Sequence, residues 1–359
     1  MVTLESNLII ENKWKDKTAE KMNESELLLY RSNLLGSDKR VTNYGGGNTS
    51  AKIYEKDPLS SADVEILWVK GSGGDIGSMK MDGFATLYME KLQSLKNLYK
   101  GEEFEDEMVD YLPHCIYNLN SRAASIDTPL HAYVPKTHVD HVHADSIIAI
   151  AASNNSREIT KRIFGNSIGW LPWKRPGFEL GLWLEKFCEE NPDADGVILE
   201  SHGLFTWANN ARSCYNLTID TINKATLWIS KNSINKKPFE GAKSQSFPPN
   251  ERKQIACELM LSIRKLICDG QHMVVHFDDS ERVLEFVNSK QFDELASLGT
   301  SCPDHFLRTK IRPLVIDFDF QSTSVEKREV KMKSLIEGYR DEYKAYYQRC
   351  KQESSPHMR

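Results

Sequence analysis

Across 359 residues no apolar run approaches the roughly 18 residues that a membrane-spanning helix needs, and the opening MVTLESNLIIENKWKDK has no apolar stretch of an export signal. A cytoplasmic protein without membrane contact is expected. The seven cysteines (Cys115, Cys188, Cys214, Cys257, Cys268, Cys302 and Cys350) include no Cys-x-x-Cys pair and are odd in number and scattered. That argues against a disulfide framework or a cysteine zinc site and for reduced thiols, most of them small core residues. Forty-six basic against 51 acidic residues give a net charge of −5 with no basic stripe, which excludes a nucleic-acid or anionic-membrane footprint but suits a small anionic substrate. No internal repeat is present. A nucleotide P-loop is missing too: the nearest stretch, WVKGSGGDIGSMKMDGF, lacks the Gly-Lys-Ser/Thr ending, and Ile76 breaks Gly-x-Gly-x-x-Gly.

What is present is the balance of a globular chain with a sizeable core, 40% hydrophobic and 27% charged. After an N-terminal extension over residues 1–24, NESELLLYRSNLLG has leucines at helical spacing before a glycine stop. Short β-like runs follow (TSAKIYE, VEILWVK, HVDHVHA, GVILESHG), several with a half-exposed pattern, separated by stretches expected as helices, MDGFATLYMEKLQSL and ARSCYNLTIDTINKATLWI among them. This alternation predicts an α/β layered domain over 25–235. A polar, Pro- and Gly-containing linker covers 236–250. A smaller C-terminal α/β extension spans 251–359, with Ile255, Leu259, Ile263 and Leu266 on one helical face, a strand-like HMVVHF and a closing amphipathic helix from Val325 to Cys350.

The chemistry-bearing residues cluster. KTHVDHVHADS holds three histidines in six residues. On a strand His141 and His143 share a face while His138 points away; on a helix His138 would pair with His141. The flanking valines favour the strand, and His-x-His then offers two imidazole nitrogens to a Zn²⁺ that needs at least one more protein ligand. His202, in the turn of GVILESHG, is the best distant candidate. Ordinary hydrogen-bonded histidines would look the same. VTNYGGGNTS offers backbone amides and Asn48 to an anion, or simply a hairpin turn. The Lys-Gly-Ser-Gly loop of WVKGSGGD, read as leading from strand to helix, offers the same at a helix N-terminus. In RAASIDTPLH, Asp127 could ligate a metal, act as a base or start a helix.

In this order, the Gly-Asn-Thr-Ser loop, the Lys-Gly-Ser-Gly loop, SIDTPLH, HVH and SHG together resemble the class II aldolase and adducin-head superfamily over about residues 25–230. YRSNLLGSDKRVTNYGGGNTSAK, DTPLHAYVPKTHVDHVHADSIIA, WKRPGF and GTSCPDHFLRTK are most similar to the aldolase part of two-domain rhamnulose-1-phosphate aldolase/alcohol dehydrogenase proteins, whose dehydrogenase domain this sequence does not include. The resemblance implies a central, mainly antiparallel sheet flanked by helices, and a carbon–carbon lyase with Zn²⁺, or Mn²⁺ or Co²⁺, on His141, His143 and His202. It implies substrate phosphate on Asn48, Ser72, Gly73 and Ser125, with Ile126 where a small polar residue often stands. It also implies a homo-oligomer, fourfold in symmetry, whose proton-donor tyrosine comes from a neighbour and is not assignable among the thirteen. Asp127 falls where the aldolases carry a glutamate that ligates and serves as base. Aspartate is one methylene shorter and matches the superfamily's sugar-phosphate 4-epimerases, so Glu200 is a further candidate base. His138 is expected as a second-sphere or surface residue, while Asp304 and His305 in SCPDH offer either additions to the site or a structural turn. The expected activity is cleavage of a ketose 1-phosphate such as rhamnulose 1-phosphate to dihydroxyacetone phosphate and an aldehyde such as lactaldehyde. The alternatives are a 4-epimerase using the same retro-aldol step and a non-catalytic adducin-like interaction module.

Overall fold

Two-residue alternation organises the centre of the molecule, which we describe from a computed structural model covering residues 8–358 apart from 44, 120–121, 234–235, 269, 303–308, 318, 320–322, 352, 354 and 356. The chain divides into two compact units, Met1–Ile234 with Ser301–Arg308, and Asn235–Thr300 with Thr309–Arg359. In the first unit seven strands form one sheet: β1 (Asn48–Lys56), β2 (Asp63–Lys70), β3 (Phe84–Tyr88), β4 (His138–Val142), β5 (Ile168–Leu171), β6 (Gly196–Leu199) and β7 (Gly203–Ala208), in the order β3-β2-β1-β4-β7-β6-β5. Every neighbouring pair is antiparallel except β5 with β6.

Contrary to the half-exposed reading, β4 and β6 are buried along their whole length, because helices cover both faces. On one face Val142, Ile198 and Leu204 pack with Leu35 of helix α1 (Glu24–Gly36) and with Ile219 and Ile222 of α8 (Ala211–Asn232). On the other, Val139, Val197, Phe205 and Trp207 pack with Leu130 of α4 (Thr128–Tyr133) and with Leu180 and Leu184 of α7 (Phe178–Glu190). Helix α1 begins at a capping box: the Asn23 side chain accepts the Glu26 amide, and Glu26 accepts the Asn23 amide. Between α1 and α4 lie α2 (Met89–Ser94) and α3 (Glu105–Tyr111), and α5 (Asp145–Ala151) and α6 (Ser156–Phe164) follow β4.

The stretch MDGFATLYMEKLQSL departs from its helical expectation. Phe84–Tyr88 is strand β3, and only Met89–Ser94 is α-helical. A short apolar run carries no period that separates strand from helix, and pairing of Phe84–Tyr88 with Ile66–Lys70 of β2 decides it.

The regular elements of the second unit are helical: α9 (Pro249–Ile267), α10 (Glu281–Val287), α11 (Phe292–Leu298) and α12 (Val325–Cys350). Met332 and Ile336 of α12 are buried against Leu259, Ile263 and Leu266 of α9. The run His272–Phe277, expected as a strand, has no regular secondary structure. Cys115, Cys188, Cys214 and Cys302 are buried, Cys257 and Cys350 exposed, and all seven cysteines are free thiols. Among the described residues no helix is long and apolar enough to cross a membrane.

Candidate metal centre and anion loops

Strand β4 carries different chemistry on its two faces. His141 points to the α4 side, stacked on Phe205 of β7 with ring centroids 4.0 Å apart. It sits opposite Phe205 on one flank and Asn48 of β1 on the other. The chain leaves β4 at Val142, and His143 follows on the same side as His141. His202 arrives from the β6–β7 turn, where Ser201 takes a left-handed conformation (φ 51°) and its amide donates to Ala151 O at 2.9 Å.

The three rings converge. His141 Nε2 lies 3.0 Å from His143 Nε2 and 3.2 Å from His202 Nε2, and the donor atoms of all three lie within 4.8 Å of one another. Ligand atoms about 2.0–2.1 Å from a tetrahedral zinc sit roughly 3.3 Å apart, so this spacing fits one small divalent cation. The protonation pattern fits as well. His141 Nδ1 donates to the Leu204 carbonyl at 3.1 Å, which leaves the Nε2 lone pair facing the cluster. Burial first, and then the neighbouring His143 and His202, hold His141 well below the usual histidine range. All three imidazoles are buried.

Two glycines let the rings meet. A Cβ on Gly203 would lie 2.8 Å from Val142 O and 3.1 Å from His143 Nε2, and closer still to His143 Cδ2. A Cβ on Gly47, whose φ is +71°, would lie 2.7 Å from His141 O. The SHG and GGGN motifs therefore share a steric origin: each puts bare backbone against a ligand-bearing segment.

Asn48 links the triad to the acid. Oriented with its amide nitrogen toward Asp127, it donates to Asp127 Oδ2 at 3.1 Å and to Gly47 O at 3.0 Å, while its oxygen accepts from Ser125 Oγ at 3.2 Å. The Asp127 amide in turn donates to Ser125 Oγ at 3.3 Å. Asp127 is buried at the N-cap position of α4, but its carboxylate makes no capping bond. The Ser72 amide donates to Ala123 O at 2.9 Å, tying the second loop to the segment that leads into Ser125, and Gly73 follows at φ +76°. The structure thus brings His141, His143 and His202 together, gathers Asn48, Ser125 and Asp127 beside them, and joins Ser72 and Gly73 through Ala123. No helix follows this loop. A single 3-10 turn, Met81–Gly83, leads straight into β3, so a helix N-terminus is not what that loop offers an anion.

Of the other candidates, Glu200 is half-exposed and accepts the Trp173 amide at 2.9 Å. Asp304 and His305 lie outside the described residues. His138 is neither exposed nor beside the triad: it is buried on the opposite face of β4, where Arg31 Nη1 donates to its Nδ1 at 2.7 Å. Arg31 also pairs with Asp140 (2.8 Å), which accepts from Thr218 Oγ1 at 3.0 Å. Neither Arg31 nor Asp140 was singled out by the motifs, nor was Lys52. The Lys52 ammonium donates to the carbonyls of His131 (3.3 Å), Val134 (2.5 Å) and Lys136 (2.8 Å), clamping the C-terminal end of the helix that starts beside Asp127. Alternation along β1, with Asn48, Ser50 and Lys52 on one face, was the signal available for it.

Residues 26–229 match the family model described as class II aldolase and adducin N-terminal domain, and residues 254–359 the one described as aldolase class II, second domain. A Bacillus subtilis (strain 168) protein named "Uncharacterized oxidoreductase YuxG" is 40% identical over 347 residues, 96% of this chain and 50% of that protein. The chain therefore spans about half the length of that relative. A solved N-terminal class II aldolase domain of a conserved protein from Thermoplasma acidophilum is 30% identical, covering 61% of this chain and 99% of that one at a TM-score of 0.55.

Proposed function

The chain belongs to the class II aldolase and adducin family, and from that premise we propose that it is a metal-dependent aldolase cleaving a ketose 1-phosphate, of the rhamnulose 1-phosphate kind, into dihydroxyacetone phosphate and an aldehyde such as lactaldehyde. The observation that carries this reading is the convergence of His141, His143 and His202 beside the Asn48–Ser125–Asp127 cluster. The three imidazoles would hold Zn²⁺, or Mn²⁺ or Co²⁺. When bound, that ion supplies Lewis-acid stabilisation of negative charge developing on substrate oxygen.

The remaining work falls to side chains of this chain. Cleavage breaks the carbon–carbon bond as the adjoining hydroxyl gives up its proton to become the aldehyde, leaving the electron pair on the carbon beside the carbonyl; Asp127 delivers a proton to that carbon, balancing the one released, and removes it in the direction of synthesis. Asn48 keeps the Asp127 carboxylate oriented through the 3.1 Å bond to Oδ2. Lys52 holds the far end of α4, so that the acid sits on a helix fixed at both ends. Ser125, Ser72 and the Gly73 backbone receive the phosphate, whose binding orients the reacting carbons. The word oxidoreductase in the relative's name we assign to the half of its length that this chain does not span, since the sequence here has no dinucleotide fingerprint.

The test is incubation of metal-loaded protein with a panel of ketose 1-phosphates, coupled to a triose-phosphate detector. Release of dihydroxyacetone phosphate, abolished in His141→Ala together with metal binding, is the expected result. A new sugar epimer with no triose phosphate would replace the aldolase reading with epimerisation.

A further inference from the structure

The groups assigned to the substrate's phosphate, Ser72, Gly73 and Ser125, and Asn48 beside them, are all neutral. A phosphate monoester carries close to two negative charges at neutral pH, and neutral donors alone match that charge poorly. The structure supplies a cation next to them. Arg122 lies along the Lys-Gly-Ser-Gly-Gly loop: a Cβ on Gly71 would fall 2.7 Å from Arg122 Cγ and 2.9 Å from both its Cβ and Cδ, and a Cβ on Gly74 would fall 3.2 Å from Arg122 Nη1. Two glycines three residues apart thus leave room for the exposed Arg122 side chain to lie along the loop backbone. The same Gly74 position lies 4.0 Å from Lys70 Cε, so a second basic side chain runs to the same edge of the loop.

Backbone hydrogen bonding and chain connectivity tie this stretch to the anion donors. The Ser72 amide is bonded to the carbonyl of Ala123, the residue after Arg122. Three residues beyond Arg122, Ser125 Oγ donates to Asn48. Arg122 has no ion pair or hydrogen bond among the described residues, and Asp75, the carboxylate next to Gly74 in the loop, already accepts from Ser78 Oγ at 2.8 Å and faces Lys39 at 3.8 Å. A guanidinium laid over glycine backbone, without a carboxylate to neutralise it, presents its planar fork to a tetrahedral oxyanion.

We propose that Arg122 is the residue that recognises the phosphate dianion, and so sets the preference of this site for phosphorylated over unphosphorylated sugars. The inference rests on the aldolase reading for the identity of the substrate, though not for the anion itself. It also revises the anion site read from the motifs, in which every donor was neutral.

The experiment has two arms on metal-loaded protein. In the first, binding of inorganic phosphate is followed by ³¹P line broadening in wild type, Arg122→Gln and Arg122→Lys, with thermal melts checking that all three are folded. Arg122→Gln is expected to weaken phosphate binding about 10- to 100-fold, the loss of one charge-assisted interaction, and Arg122→Lys to recover part of it. In the second arm, KM and kcat are measured on a cleavable ketose 1-phosphate and its unphosphorylated ketose. The loss in Arg122→Gln is expected mainly in KM and for the phosphorylated sugar alone. A folded Arg122→Gln that binds inorganic phosphate as tightly as wild type overturns the proposal, whatever its aldolase activity. Arg122-dependent phosphate binding in a wild type that cleaves no ketose phosphate would support this inference and sink the aldolase reading instead.

Discussion

Substituting Gly203 by alanine would disturb the proposed metal centre without removing any of the three histidines. The new Cβ would sit 2.8 Å from Val142 O and 3.1 Å from His143 Nε2, and nearer than either to His143 Cδ2. The backbone has little room to yield, because Gly203 pairs with Leu199 at the start of β7 and the next residue pairs with Val142. The ring of His143 therefore moves, and restoring ordinary contact takes a shift on the order of 1 Å, several times the roughly 0.2 Å that a metal–nitrogen bond tolerates. The proposed centre would then lose one of its three protein ligands. Metal affinity should fall by at least the roughly 10- to 100-fold seen when orienting contacts are lost, and overpacking should cost the metal-free protein about 1–3 kcal/mol. Chelator competition with Co²⁺ or Zn²⁺ measures the first quantity and urea unfolding of metal-free protein the second. Gly338→Ala is the control: it lies in α12 with nothing within 4 Å of its added Cβ, and should be neutral or stabilising by up to about 1 kcal/mol. A Gly203→Ala protein that binds metal within twofold of wild type would refute the steric account of the His-Gly pair.

Three further outcomes follow from the same geometry. Lys52→Met removes the ammonium shared by three carbonyls at the end of α4, of which Val134 O keeps the Lys136 amide, and should cost about 1–3 kcal/mol in urea unfolding, with kcat lowered more than KM because Asp127 sits at the other end of that helix; equal stability and kcat would remove Lys52 from any positioning role. Arg31→Leu strands the buried Asp140 charge and should lose about 3–5 kcal/mol, against little change for an exposed arginine such as Arg212. Burial holds His131 at about 3 and His138 at about 2, against 6.5 when unfolded. Between about pH 6.5 and 3 the unfolded chain therefore binds more protons, and metal-free protein should lose about 2 kcal/mol per histidine from pH 7 to pH 5. Urea melts at the two values check this, and a loss undiminished in His138→Gln would rule out its contribution.

What could be read from the sequence had local signatures. Two-residue parity placed His141 and His143 on one face, the capped leucine repeat marked α1, and the α12 helix runs over Val325–Cys350 as its periodicity indicated. What escaped had none, or for Lys52 only its parity with Asn48 and Ser50 along β1. Phe84–Tyr88 becomes a strand only because β2 lies alongside, and the absence of a helix after the Lys-Gly-Ser-Gly loop follows from that same pairing. Arg31 meets Asp140 across 109 positions of chain and Lys52 meets Val134 across 82. In sequence each is one more polar residue at a position that elsewhere faces water.

Those illegible residues bear on why the legible motif works. Along HVDHVH a slip of one residue exchanges His141 for Asp140 and turns the triad face of β4 away from His202. Apolar packing alone resists such a slip weakly, since Val139 and Val142 place a valine on each face and either register would bury one. The buried charges discriminate where the valines do not. A slip would carry Asp140 away from Arg31 and Thr218 and into the Phe205 face, leaving two charges uncompensated at about 3–5 kcal/mol, while His138 would lose its bond to Arg31. A buried ion pair adds little net stability over well-packed apolar side chains, so its value here lies in making the wrong register costly. On this argument Arg31 and Asp140, on the face opposite the histidine triad, are what would make a His-x-His on this strand a dependable pair of metal ligands.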